Sequence, residues 1–387
     1  MNVLYLTMNP NRASTTVPTE GWFRLLPPRG LHPVLVSEEV GSFHEWAVAQ
    51  GIPAYHVPLP HPSKTRPLGF LRSLWRLRKL VRRHRIDLIH CNEQNVYPIG
   101  RYLARLCRLP AVVSVHFTMN RGYCEWAFRG PHRPKRVFFV SGGNREQCRE
   151  GMTGVVPEAD WRVLYNGLDL DHFRPDQERR ARFRAAHGLG DGPVLGVACA
   201  LRERKQVEHL FEAAARLDAP GLKVVLAGGP VPGEPDGYAD RLLAEGRAKL
   251  GARFVTLGHL TELRDFYNGL DVFVNTSREE ACSISVLESL ACGTPVVGYP
   301  SKSVDEQIMP SGGEIVEQDR PDLLAGALRG WVNNPARLAE SRLTARHRAE
   351  ECFDIRRLAD DLWAEYQAVV SEYAAARKVL DTAGART

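Results

Sequence analysis

Glu280 and Glu288 stand eight positions apart, and Ala281-Cys282-Ser283-Ile284-Ser285 fills the first part of the gap with mostly small residues. The strand-like run 271–275 precedes them, and Gly293-Thr294-Pro295 comes before the next apolar run. This pattern predicts strand, polar loop and then a helix starting near Ser283. Glu280 would lie ahead of that helix and Glu288 more than one turn inside it. The first amides of a helix lack intrahelical partners and present the positive end of the macrodipole to an anion. The amides of 282–286 therefore suit a diphosphate or sugar hydroxyls. Glu288 carries the same charge as a phosphate and suits a vicinal diol such as a ribose, through two charge-assisted bonds of ~1.5–3 kcal/mol each. His116 closes the apolar run 111–116, at the kind of strand end where open α/β sheets gather ligands. The plainer alternative for His116 is an imidazole bonded to a loop carbonyl.

Two other patterns read as structural. Asp169-Leu170-Asp171 has the form of a metal-binding acidic pair but continues Asn166-Gly167-Leu168, a connecting segment, so no metal is expected there. Gly188, Gly190 and Gly192 precede a strand instead of following one, the wrong order for a dinucleotide fingerprint.

Residues of this kind need strands and helices to hold them. Short apolar runs alternate with helical patterns along the whole chain, as in parallel sheets wound with helices. The first half carries strands at 2–7, 33–36, 54–57, 86–90, 111–116 and 136–140. The pattern restarts at 193–198, 223–227, 253–257, 271–275 and 295–298. Between the two series, 162–192 reads as a linker plus a charged helix. The last strong pattern is an amphipathic helix at 354–375 built on Ile355, Leu358, Leu362, Tyr366, Val369 and Val370, with 376–387 reading as a frayed tail. The expected fold class is α/β: two Rossmann-like doubly wound domains facing a cleft. The boundaries fall at 1–169 and 170–353.

At 387 residues the chain exceeds the ~250–300 at which single cores stop growing, which also favours two domains. An apolar content of 44% with 25% charged residues is ordinary for globular proteins. The net charge of +6 suits an anionic partner but is small for this length, and no nucleic-acid partner is expected. Eight scattered cysteines form neither a C-x-x-C pair nor a zinc pattern and read as reduced thiols. With no leader-like start and no apolar run near ~20 residues, a cytoplasmic protein is expected, at most peripheral on a membrane.

Glu280-x7-Glu288 followed by Ala291-Cys292-Gly293-Thr294-Pro295-Val296-Val297 resembles the paired-glutamate motif of the retaining family-four glycosyltransferases of the GT-B fold. The family prefers Gly-Phe-Gly after the first glutamate, where this chain has Ala281-Cys282-Ser283. The likeness spans most of the chain. His90, His116, Ser141 after Phe138-Phe139-Val140, Asn166-Gly167, Leu257-Gly258-His259, Phe266-Tyr267 and Asp271-Val272-Phe273-Val274 match family landmarks in order. The resemblance implies that Glu288 binds the donor ribose. Glu280 and the amides of Ala281, Cys282, Ser283, Ile284 and Ser285 would hold the donor sugar, with His116 near the reacting centre. Loops carrying Gly229 and Gly258-His259-Leu260, within 229–236 and 258–263, would read base and sugar. It further implies a C-terminal helix crossing back to the first domain. The expected reaction is transfer of a sugar from a nucleotide-diphosphate sugar, with retained configuration, to a glycan, lipid-linked or small-molecule acceptor.

Fixed cations stabilise a departing diphosphate better than water does, because they need no reorganisation. Arg202 and Lys205, in Leu201-Arg202-Glu203-Arg204-Lys205, are the candidates. With them in place no metal or other cofactor is expected. The family's more frequent arginine, five residues before the lysine, is Ala200 here, and residues 8–21 lack the paired glycines many relatives carry. The rival readings are a nucleotide-sugar epimerase of the same architecture and a non-catalytic nucleotide-sugar or glycan-binding protein.

Helix 70–85 places Arg72, Arg76, Lys79 and Arg83 on one face, while Leu71, Leu74, Trp75, Leu77, Leu80 and Val81 cover much of the rest. Such a helix can lie on an anionic membrane, or it can pack on the core behind a solvated charged face.

Overall fold

The computed structural model describes residues 1–63, 67–130, 133–231 and 237–384. The chain divides into two compact units, Met1–Gly167 with the chain from Ile355 onward, and Leu168–Asp354.

The first unit is built on a seven-stranded parallel sheet of order β3-β2-β1-β4-β5-β6-β7. Its strands are β1 (Asn2–Thr7), β2 (His32–Ser37), β3 (Ala54–His56), β4 (Leu88–Cys91), β5 (Ala111–Val115), β6 (Val137–Phe139) and β7 (Trp161–Val163). Both faces are covered, so the strands are apolar throughout instead of alternating. Leu4 and Leu6 join one core with Val34, Val36, Ile89 and Val113. Val3 and Tyr5 turn to the other face, onto the long helix Ile355–Gly384.

That helix buries Ile355, Leu358, Leu362, Tyr366 and Val369 against the first sheet. Polar contacts fix its register: Tyr366 shares hydrogen bonds with the Tyr5 hydroxyl (2.9 Å) and with His90 Nδ1. His90 Nε2 lies 2.8 Å from Ser114 Oγ, and burial pushes the imidazole down to about 3, so this landmark histidine is a neutral packing element. Arg136 donates to Glu365 and Glu372 of the helix, both at 2.7 Å. Residues 376–384, expected as a frayed tail, continue the helix.

The second unit carries a six-stranded parallel sheet of order β10-β9-β8-β11-β12-β13. Its strands are β8 (Val194–Ala198), β9 (Lys223–Ala227), β10 (Phe254–Gly258), β11 (Val272–Asn275), β12 (Val296–Gly298) and β13 (Gly313–Ile315). Each sheet reverses its strand order once, at β1/β4 and at β8/β11, and open α/β sheets bind ligands beyond the carboxyl ends of the strands at such points. Two strands escape the sequence pattern. β7 overlaps the start of the segment expected as a linker, and β13 was not expected at all. Both are three-residue edge strands, and β13 is only half-buried, so neither shows the apolar run of an interior strand.

Candidate functional site

In the second unit the loops leaving β8 and β11 meet at the switch point. After β8 the chain makes a tight turn at Glu203–Lys205, and Gln206 takes a left-handed φ of 48° to enter the helix Val207–Ala215. The turn is tied to the β11 loop: Thr276 Oγ1 donates to the Lys205 carbonyl (2.8 Å), and the Arg278 amide donates to the Arg204 carbonyl (2.9 Å). These bonds bring the Lys205 ammonium onto the Glu280 carboxylate as an ion pair whose side chains are only 13% and 10% exposed. Arg204 approaches the other Glu280 oxygen at 3.9 Å while donating to the Glu279 carbonyl at 2.9 Å. A pocket of about 10 Å³, lined by Lys205, Glu280, Ser283, Ser285 and the ends of β8 and β11, sits at this pair.

The helix after Glu280 runs Ile284–Ala291 with extended Ser283 as its cap. Its first internal bond is from the Leu287 amide to the Ser283 carbonyl (3.2 Å), so the amides of Ile284, Ser285 and Val286 lead the helix without intrahelical partners. The Ser283 amide, expected among the anion donors, is instead spent on Gln307 Oε1 at 3.1 Å. Gln307 also donates to Cys282 Sγ (3.3 Å), and Ala281 beside it is half-buried. Glycine at 293, with φ +72°, ends the helix in the left-handed conformation a side chain would resist.

Glu288 accepts a 2.7 Å bond from the Tyr267 hydroxyl. Burial pushes its carboxyl up to about 7; the Tyr267 bond opposes this and the charge of Glu262 adds to it. Glu288 pairs with none of the cations that hold Glu280. Gly229 accepts from the Leu201 amide at 3.0 Å, and the Gly228 amide donates to Gly258 at 2.7 Å, so the ends of β8, β9 and β10 are laced together. His259 is exposed and Leu260 half-buried beside them; 232–236 of the expected base-reading loop lie outside the described residues. Arg202 caps the Glu203–Lys205 turn, its carbonyl accepting from the Lys205 amide at 2.9 Å. Asp169 Oδ1 accepts from the amides of Asp171 (3.0 Å) and His172 (3.2 Å), which closes a local turn.

His116 belongs to the first unit. It is 7% exposed and its Nε2 lies 2.9 Å from the Asn92 carbonyl, so Nε2 carries the proton and Nδ1 is left as an acceptor. Burial lowers its pKa to about 4, against the bond to Asn92. At that unit's own switch point Glu93 accepts from Thr7 Oγ1 (2.6 Å), the Met8 amide (3.1 Å) and Asn92 Nδ2 (3.3 Å). Burial nonetheless raises the Glu93 carboxyl to about 7.

The family model described as glycosyl transferases group 1 matches residues 179–351, and that of glycosyltransferase family 4 matches residues 23–172. The chain belongs to the family-four glycosyltransferases. A D-inositol 3-phosphate glycosyltransferase of Mycolicibacterium paratuberculosis is 32% identical over 226 residues, 56% of this chain and 49% of that protein. Its counterpart from Mycobacterium avium is 33% identical over 228 residues, 56% of this chain and 51% of that protein. The chain thus spans about half the length of the curated relatives it matches. Among solved structures, Anabaena HepE in complex with UDP superposes with a TM-score of 0.82 at 18% identity, covering 95% of this chain and 100% of that one. Sucrose-phosphate synthase from Thermosynechococcus elongatus gives 0.76 at 18% identity, covering 96% and 99%. These likenesses establish the GT-B fold, two parallel Rossmann-like sheets each flanked by helices.

Within this family member, sequence reasoning missed Arg204, Tyr267, Gln307 and Glu93. Arg204 sits between the two cations that were singled out, and a tight turn, which spacing does not reveal, decides which of the three faces Glu280. Tyr267 was visible only as a landmark. Gln307 and Glu93 carry no motif, and their partners lie far along the chain: Ser283 for Gln307, and Thr7 and Met8 for Glu93.

Proposed function

We propose that this protein transfers a sugar from a nucleoside-diphosphate sugar to an acceptor with retention of configuration and without a metal. The observation that carries this reading is the Lys205–Glu280 pair at the N-terminus of the helix that bears Glu288, at the switch point of the second sheet.

The donor diphosphate would take Lys205 and the amides of Ile284, Ser285 and Val286, exchanging the carboxylate partner of the lysine for a phosphate. Glu280, released from Lys205, would accept from sugar hydroxyls. Glu288 would accept from both ribose hydroxyls. The neutral His116 would offer Nδ1 to a sugar hydroxyl. In the reaction the bond from the anomeric carbon to the diphosphate oxygen breaks, the acceptor oxygen bonds to that carbon on the same face, and the departing phosphate takes the acceptor's proton. Lys205, Arg204, Arg202 and the helix terminus provide the positive charge that a metal would otherwise supply. HepE is known in complexes with UDP and UDP-glucose, which makes uridine the first base to examine.

Calorimetric titration of UDP, GDP and ADP with EDTA present tests the reading. One diphosphate is expected to bind selectively to the wild type, and ~10–100-fold more weakly to Glu288→Ala, the loss of charge-assisted bonds. Absence of binding by all three would overturn it.

A further inference from the structure

We propose that the helix Pro67–Arg83, with the neighbouring helix Tyr97–Cys107, docks the first unit on an anionic phospholipid surface. The structure divides the apolar side of helix 67–83 in a way the sequence pattern did not show. Phe70, Leu77, Leu80 and Val81 face the core. Leu68, Leu71 and Trp75 do not: they are 80%, 55% and 55% exposed. At i, i+3 and i+7 they form one stripe.

Cations flank that stripe. At 100° per residue, exposed Arg72, Arg76, Lys79 and Arg83 lie on one side of it, Arg78 lies on the other, and exposed Arg82 continues the line of the stripe toward the end of the helix. Lys79 Nζ rests 3.5 Å from the centre of the Trp75 ring. Tyr102, edge-on to Phe70, carries the exposed apolar surface to Leu106 on the next helix, where Arg105 and Arg108 are also exposed.

The charge is concentrated here. Residues 46–124 hold thirteen Lys and Arg against two acidic residues, Asp87 and the buried Glu93, although the whole chain carries only +6. Solvation of a charged face explains exposed arginines but not three large apolar side chains among them. Nucleic acid would use the cations and leave the leucines idle. A bilayer of anionic lipid uses both, with phosphates against the guanidinium groups and the Leu68–Leu71–Trp75 stripe in the headgroup boundary.

Flotation of the full chain with vesicles tests this, independently of the donor site. At low salt the protein is expected to float with phosphatidylcholine vesicles containing about a third phosphatidylglycerol, to stay behind with pure phosphatidylcholine, and to be released as salt rises. At about fivefold per charge, Arg72→Gln/Arg76→Gln/Lys79→Gln weakens binding ~100-fold. Leu71→Ser/Trp75→Ser is expected to weaken it at least tenfold while keeping the salt dependence. Both variants change exposed positions, so circular dichroism and UDP titration should match the wild type. No flotation, equal flotation with neutral vesicles, or an unchanged Leu71/Trp75 variant would overturn the proposal. So would capture by a mixed-sequence oligonucleotide while the vesicles leave the protein in solution.

Discussion

The two ends of β11 hold carboxylates in opposite conditions. At its amino end Asp271 accepts from Arg180 (2.6 Å), Arg184 (3.2 Å) and Arg342 (3.5 Å), and from the Val194 amide (2.8 Å). Burial would raise its pKa, yet the charges of Arg180 and Arg184 and the Val194 amide win, and the carboxyl stays below the usual aspartate range. Beyond the carboxyl end, Glu280 has one close cation, Lys205, with Arg204 at 3.9 Å, and Glu288 has a tyrosine hydroxyl and a carboxyl pushed up to about 7. One strand thus carries a satisfied charge that holds the sheet together and less satisfied ones that a ligand can complete. Sites that bind and react are commonly the ones left electrostatically unfinished.

The comparison can be broken at its satisfied end first. Asp271→Ala leaves three arginines around an empty position and is expected to cost ~3–5 kcal/mol, lowering the melting temperature by about 10 °C, while UDP still binds in the cold. A melting curve close to wild type would mean that the amino-end cluster is ornamental. Next in size is Lys205→Ala, expected to reduce transfer from the donor sugar by ~10²–10³-fold in kcat, a loss steady-state assays would detect. Unchanged turnover would remove the lysine from the diphosphate.

The unfinished end has a pH signature. In the proposed donor site the ionised form of Glu288 would accept both ribose hydroxyls, and with a pKa of about 7 it is mostly charged at pH 8 and mostly protonated at pH 6. UDP affinity is therefore expected to fall about tenfold between those values beyond any fall due to the ligand's own terminal phosphate, and Glu288→Gln should keep only the latter. Stability runs the other way. A carboxyl raised from 4.5 in the fold favours folding below pH 4.5, and that contribution is lost as pH rises through 7. Glu288→Gln should thus melt ~2–4 °C above wild type at pH 8, with the gap closing toward pH 4.5. A variant less stable at pH 8 would show that Glu288 is a packing residue.

Much of this was legible from residue spacing. The interior strands are apolar runs because both faces of a parallel sheet are covered, and the helix that returns to the first unit announced itself through Ile355, Leu358, Leu362, Tyr366 and Val369. Edge strands β7 and β13 were not legible, since an edge needs no apolar run. The basic helix was half legible: its period marked Leu71 and Trp75 as apolar, but only the packing of Phe70, Leu77, Leu80 and Val81 shows that those two stay outside.

Spacing by itself determined the two wound sheets, the order of strand, loop and helix around Glu280 and Glu288, and the presence of cations after β8, because these are local properties of the chain. The tertiary structure decided that Lys205 and Arg204 meet Glu280, that the Ser283 amide goes to Gln307, and that Glu288 is left with Tyr267. Those pairings join residues 21 to 76 positions apart. Hydrogen bonds and ion pairs act over a few ångströms, so which groups share that distance is set by how the loops leave the sheet.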